Sequence, residues 1–215
     1  MKKNHYEIVG SVIADSAHEA DARIKKLSNN VQTIQLDIMD GIFVPQKSLL
    51  FDIPDYTDRY AVEAHLMMKN PLPWLEKNHA KISTAIIHCE SDISVPETIA
   101  FLRKCDVTVG LAIGPSSSSK ELIPFINHVD MVLVFTADKM GSYGAAFDSK
   151  RIEEIKTISA HAKGSISIEV DGGVSPETIR MLADAGACRF VCGSYLQQND
   201  THDAIKTLFQ KLNNR

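Results

Sequence analysis

The chain has 215 residues, 44% of them hydrophobic and 23% charged, with a formal net charge of -4. That length and apolar content can bury one full core, so a single domain over 1–215 is expected, and the acidic balance argues against nonspecific nucleic-acid binding, which needs a basic face. No apolar run approaches the roughly 20 residues of a membrane-spanning helix, and the stretch Met1 to Glu7 lacks the apolar segment of a secretory leader, so the expectation is a cytoplasmic protein with neither membrane nor nucleic acid as partner.

In chain order, short apolar or β-branched runs alternate with longer amphipathic segments. A strand at 6–14 is followed by a helix at 16–28, a strand at 31–38, a short element within 49–58, and a strand at 60–66. Helix 71–80, strand 83–89, helix 94–104, strand 107–113 and helix 118–127 come next. Strand 130–135, helix 148–160, strand 165–170, helix 175–185, strand 189–192 and helix 201–213 complete the series. Start signals support several helices: Pro96-Glu97 suits a first turn, Ser175-Pro176-Glu177 places a cap before a proline, Ser116 to Ser119 read as a cap in a polar loop, and Trp74 reads as an anchor at a helix start. Gly186 falls where the helix before the last strand should stop. Strands apolar on both faces, such as Val129 to Phe135, suit a parallel sheet covered by helices. Eight such units fit a (β/α)₈ TIM barrel at its lower size limit; an open doubly wound sheet would need a glycine-rich turn after the first strand, which is missing.

Barrel chemistry sits at the C-terminal strand ends, and those ends carry groups foreign to a core: Ser11, Gln35 with Asp37, His65, His88 and Asp171. Side chains alternate along a strand, so Gln35, Asp37 and Met39 share one face. Burying an unpaired polar group costs roughly 2–7 kcal/mol, so two on one face need partners. Taken singly, Asp37 caps a turn, His65 is a satisfied core histidine and Asp171-Gly172-Gly173 is a tight turn; together they form a cluster of oxygen and nitrogen donors. Gly172-Gly173 before a capped helix, and Gly193-Ser194 after the last strand, form a second constellation able to cradle a phosphate on backbone N–H groups. The glycine-punctuated segment Thr136 to Phe147 reads equally as a lid or as a surface loop. Met39, Met67 and Met140 read as an apolar wall of the site or as core. The four cysteines lack zinc-site spacing and read as reduced, mostly buried thiols, with Cys188 and Cys192 in the last strand.

At this point the chain resembles the ribulose-phosphate 3-epimerase family over nearly its whole length. The likeness is carried by Gly10-Ser11, Leu36-Asp37-Ile38-Met39-Asp40-Gly41-Ile42-Phe43-Val44-Pro45, His65-Leu66-Met67, His88, Val170-Asp171-Gly172-Gly173-Val174 and Gly193-Ser194. The resemblance implies a ribulose-phosphate-binding barrel that inverts C3 of a ketose phosphate. Asp37 and Asp171 would be the acid/base carboxylates, and Gln35, Asp37, His65 and Asp171 would hold one divalent metal ion (zinc, manganese, iron or magnesium). Ser11, Met39, His65, Met67, Gly141, Gly144, Gly172, Gly173, Gly193 and Ser194 would contact substrate, the last four at its phosphate. The implied partner is a small sugar phosphate, and the implied assembly a homo-oligomer.

Three positions depart from the family pattern. Gln35 stands where the family has a histidine ligand, Asp138 to Gly144 replace an Asn-Pro-Gly-Phe-Gly-Gly lid, and Gly114-Pro115 replaces Asn-Pro. An amide oxygen is a neutral, harder and weaker donor than imidazole, so metal affinity falls and preference shifts from zinc towards manganese, magnesium or iron(II), the alternative being a site that holds no metal. The altered loops open two alternatives: a hexulose or heptulose phosphate as substrate, or a sugar-phosphate-binding barrel that has lost turnover. A lyase of the decarboxylase or aldolase type ranks below these, because no lysine faces the core at a strand end.

Overall fold

The computed structural model describes residues 5–27, 30–164 and 166–213; the first four residues and the expected element ends at 28 and 165 lie outside that set. The strands are β1 (Glu7–Val12), β2 (Thr33–Asp40), β3 (Lys47–Ser48), β4 (Ala61–Met67), β5 (Thr84–His88), β6 (Thr108–Ile113), β7 (Met131–Phe135), β8 (Ser167–Asp171) and β9 (Arg189–Cys192). The α-helices are α1 (Ala17–Leu27), α2 (Leu72–Asn78), α3 (Val95–Lys104), α4 (Ser119–Leu122), α5 (Arg151–Ala162), α6 (Ile179–Ala185), α7 (Ser194–Gln198) and α8 (Thr201–Asn213). Eight strands pair in the order β1-β9-β8-β7-β6-β5-β4-β2, all parallel, and the β1–β2 pairing closes them into a barrel. The short β3 is an addition that pairs antiparallel with the end of β2.

Strand alternation sorts the side chains. Ile34, Leu36 and Ile38 of β2, Val62, Ala64 and Leu66 of β4, and Val132 and Val134 of β7 point outward into the main core under the helices. Ile86, Ala112, Met131, Leu133 and Phe135 point inward and pack one side of the barrel lumen. The parity that sends Ile34 outward sends Gln35, Asp37 and Met39 inward. Register then sets the neighbours: Ser11 lies beside Gln35, Asp37 beside His65, and Phe135 beside Asp171.

Most expected elements appear within a few residues of their limits, and the differences have local causes. The helix expected from 175 starts at Ile179, because Ser175 to Thr178 close a side-chain turn: Ser175 Oγ accepts the Glu177 N–H (3.2 Å) and Thr178 Oγ1 the Ser175 N–H (2.9 Å). The helix expected over 118–127 narrows to α4 plus a 3₁₀ turn at 123–125; the Ser118 N–H donates to Glu121 at its start, as in a capping box. Gly186 ends α6 with φ 120°, a conformation that suits glycine. Residues 49–58, where a short element was expected, hold neither helix nor strand; the two-residue β3 lies just before them, and α7 is an extra short helix after β9. The described cysteines are unpaired thiols, with Cys192 buried in β9.

The barrel floor holds a charged cluster that alternation predicts but periodicity alone does not reveal. Glu63 and Glu169 lie two residues before His65 and Asp171 on the same inward faces, and Arg189 of β9 reaches both, together with Glu7 of β1. Burial pushes Glu63 well above the usual carboxylate range and Glu169 up to about 7, against the pull of the Arg189 charge. One guanidinium therefore supports two buried carboxyls and a third at the rim. Removing one partner of such a cluster leaves uncompensated charge, so Arg189→Met should lower unfolding free energy by about 3–5 kcal/mol in a urea titration; an unchanged midpoint would show that the guanidinium is not the counterweight.

Candidate functional site

The four sequence-predicted donors converge at the barrel mouth. Gln35 Nε2 donates to Asp37 Oδ1 (2.9 Å) and to Asp171 Oδ2 (3.0 Å), and His65 Nδ1 lies 3.2 Å and 3.3 Å from the same two oxygens. Ser11 Oγ donates to the other Asp37 oxygen, Oδ2, at 2.5 Å. Gln35, Asp37 and His65 are buried, and Asp171 lies at the edge of the open space. Burial raises the Asp37 pKa, and the neighbouring Asp171 charge adds to the rise. For His65, burial alone would lower the pKa, but its hydrogen bonds to Asp171 and Asp37 and their charges outweigh it and hold it at about 10. Ligand atoms of Asp37, His65 and Asp171 all fall within 4.8 Å of one another, a spacing that could hold a metal ion. Gln35 Oε1 is buried without a partner, so the amide keeps an unused oxygen beside this group.

The two glycine pairs reach the same cavity. Gly172, Gly173, Gly193 and Ser194 line an open space of about 490 Å³ together with Ser11, Asp37, Met67 and Asp171. Gly172 (φ 97°) and Gly173 (φ 68°) both adopt left-handed conformations, and a Cβ on Gly173 would sit 2.7 Å from that of Phe147. A side chain at either position is thus excluded both by the backbone conformation and by the packing of the hairpin against the loop. Met39 and Met67 pack with Val44, and Met140 packs against them; of the three, Met67 lines the cavity.

The segment after β7 is a short hairpin over the mouth. Ala137 bridges Phe147, and the Asp138 N–H donates to Ala146 O at 2.9 Å while the Ala146 N–H donates back to Asp138 Oδ1 at 3.0 Å. Its base is stitched to the glycine loop, since Thr136 Oγ1 donates to Gly172 O (2.6 Å). Gly141 and Gly144, both at positive φ, line the cavity with Ser142 and Tyr143. The geometry thus favours the lid reading.

Tyr143 and Glu90 were given no role in the sequence reading, and His88 was given no partner. Tyr143 crosses from this hairpin to β1, where its hydroxyl donates to Ser11 O (3.0 Å) and accepts the Ile13 N–H (3.1 Å). Its ring lies against Gly193, and the Arg23 guanidinium stands 5.1 Å from the ring centroid. Nothing in the spacing of a glycine-rich loop marks such a reach. His88 was read as a strand-end group and as part of the family likeness, and Glu90 not at all, yet they contact each other behind His65. Burial lowers His88, and the bond to His88 helps hold Glu90 at about 2 despite its own burial. Their i, i+2 spacing repeats that of Gln35 and Asp37, a signal the sequence does contain.

The family model described as the ribulose-phosphate 3 epimerase family matches residues 7–197. A ribulose-phosphate 3-epimerase of Chlamydia muridarum is 31% identical over 94% of this chain and 92% of its own length, and one of Chlamydia pneumoniae is 32% identical over the same shares. The Escherichia coli enzyme of that name is 27% identical over 88% of each chain. Among solved structures, 3-keto-L-gulonate-6-phosphate decarboxylase from Vibrio cholerae superposes with a TM-score of 0.71 over 97% of both chains, at 11% identity, a likeness of fold.

Tyr143→Phe removes both hydroxyl bonds that hold the hairpin tip. At about 0.5–1.5 kcal/mol per bond, loss of the two together should quicken amide hydrogen exchange across 141–145 by roughly 5–150-fold, with the barrel strands unchanged. Unaltered exchange there would show that the hydroxyl does not hold the hairpin.

Proposed function

The chain belongs to the ribulose-phosphate 3-epimerase family, isomerases that act on carbohydrates, and on that premise we propose that it inverts C3 of a ketose phosphate, ribulose 5-phosphate first, with Asp37 and Asp171 as the two proton carriers. The observation that carries this reading is two carboxylates held side by side at the mouth of a barrel whose glycine loops open onto the same cavity. A phosphate rests on the backbone of Gly172, Gly173, Gly193 and Ser194, which leaves the sugar chain pointing at the carboxylates. One carboxylate removes the C3 proton and the other, entering protonated, returns one to the opposite face. Asp37 comes from β2 and Asp171 from β8, with β1 and β9 between them, so the two approach from different sides of the mouth. Ser11 fixes the rotation of Asp37, and the hairpin carrying Gly141, Tyr143 and Gly144 excludes water while the enediolate exists. Met67, backed by Met39 and Met140, supplies the apolar wall along the sugar.

A proton next to a ketone is too weakly acidic for a bare carboxylate, so charge on the substrate oxygens must be stabilised as it forms. The residues fit a divalent ion: Asp37, His65 and Asp171 are within reach of one another, and rotation of the Gln35 amide would present its unpartnered oxygen as a fourth donor. Such an ion supplies Lewis-acid stabilisation of the developing negative charge. Three oxygens and one imidazole favour manganese, iron(II) or magnesium over zinc. The same reading has the chain work as one domain, in the cytoplasm, as a homo-oligomer acting on a small sugar phosphate.

Proton NMR of the purified, metal-supplied protein should show interconversion of ribulose 5-phosphate with its C3 epimer, and parallel runs with hexulose and heptulose phosphates rank the alternatives. Asp171→Asn should lower turnover by about 10²–10⁴-fold while inorganic phosphate still binds, because the backbone supplies that grip. Gln35→His should raise the bound metal content; no change would count against Gln35 as a ligand. Phosphate binding with no turnover on any ketose phosphate would favour the binding-protein alternative.

A further inference from the structure

Behind His65, away from the cavity, the polar network continues. His65 Nε2 lies 2.8 Å from His88 Nε2, His88 Nδ1 lies 3.2 Å from Glu90 Oε2, and Glu90 Oε1 accepts the Gly114 N–H at 2.7 Å. The imidazole centroids are 5.0 Å apart with planes only 20° apart, so nitrogens at 2.8 Å mean that the rings meet edge to edge through a hydrogen bond. Both imidazoles are wholly buried, so no water competes for these nitrogens.

An N···N contact of that length holds one proton, and the neighbours decide whose it is. Glu90 takes an N–H from Gly114 on one oxygen and faces His88 with the other, so an ionised Glu90 accepts at both and His88 Nδ1 carries the donor proton. A wholly buried imidazole favours its neutral form, which has one proton, and Glu90 holds that proton at Nδ1. His88 Nε2 is therefore the bare acceptor, and His65 Nε2 is the donor. His65 Nδ1 then faces Asp37 and Asp171 either with a second proton or as a lone pair.

We propose that Glu90, acting through His88, is a positioning residue that keeps the His65 proton on Nε2 and so leaves Nδ1 to the side where Asp37 and Asp171 converge. The Nδ1 lone pair is what a divalent ion there would require, so the functional importance of this relay rests on the metal reading above, whereas the direction of its hydrogen bonds does not. The backbone of the loop after β6 is part of the device, because Gly114 dictates which atom of residue 90 faces it. A Cβ on Gly114 would lie 3.0 Å from Glu90 Oε1 and 3.0 Å from Met140 Cε, so glycine permits the close approach.

Glu90→Gln separates this role from mere packing. The Gly114 N–H demands the amide oxygen, which turns the amide NH₂ towards His88 Nδ1 and reverses every bond behind it: His88 must donate from Nε2, and His65 must accept at Nε2 and keep its proton at Nδ1. In metal-free protein with ¹⁵N-labelled histidine, two-bond ¹H–¹⁵N spectra should show wild-type His88 protonated at Nδ1 and bare at Nε2, with the opposite in Glu90→Gln. Affinity for manganese and zinc, read by chelator competition, should fall about 10–100-fold in the variant, while inorganic phosphate affinity and the thermal midpoint stay near wild type. Wild-type His88 bare at Nδ1, or a variant with unchanged tautomers and metal affinity, would overturn the relay. Wild type with the expected tautomers but no metal binding would instead overturn the metal reading.

Discussion

Two carboxylates cannot stand side by side in a buried barrel mouth unless donors bridge them, and here Gln35 and His65 each bridge both. Like charges at such separations repel by several kcal/mol in a protein interior, so an unbridged Asp37–Asp171 pair would be protonated or pushed apart. The bridge depends on a register in which Asp37 of β2 lies beside His65 of β4, and on closure of the sheet through β1, which brings β8 round to face them. The fold and the site are in this sense one constraint: a slip of one residue in β2 would turn Gln35, Asp37 and Met39 into the helix-covered core and leave the barrel mouth without its donors.

The polar groups of the lumen are arranged along the barrel axis. At the floor, Glu63 and Glu169 meet Arg189; at the mouth, two residues further along the same strands, His65 and Asp171 meet Asp37 and Gln35. Apolar residues of β5, β6 and β7 fill the other side. The site therefore stands on a charged base as well as on a packed one. The hairpin above it is tied down at both ends, by Thr136 to the glycine loop and by Tyr143 to β1, so the groups that would grip phosphate and those that would move protons are joined by the same segment.

The barrel, its eight strands and all four donors at its mouth were legible in the sequence, because each leaves a local trace: β-branched runs, a polar residue at i and i+2 of an apolar strand, a glycine pair at a strand end. The floor cluster left the same trace at Glu63 and Glu169 but needs Arg189 and Glu7 from strands distant in sequence, and pairing between distant strands is a property of the closed barrel. Tyr143 was illegible for a different reason, since its partners are backbone groups of Ser11 and Ile13, which any sequence could offer. The start of α6 was misplaced because Ser175 and Thr178 satisfy a turn as well as a cap. Gln35 was visible as a departure from the family pattern, but its bridging hydrogen bonds and its unpartnered oxygen emerge only from the packed site.

The central claim is that Asp37 and Asp171 serve the two faces of one carbon, and the most direct measurement is the isotope at C3 during the first turnovers in deuterium oxide. With two separate carboxylates, product should carry solvent deuterium at C3 from the outset while remaining substrate keeps its protium, since the proton removed by one group is not the one delivered by the other. Product that retains the substrate's own proton, or early deuterium in recovered substrate at the rate it enters product, would point to a single group working both faces and would contradict the account.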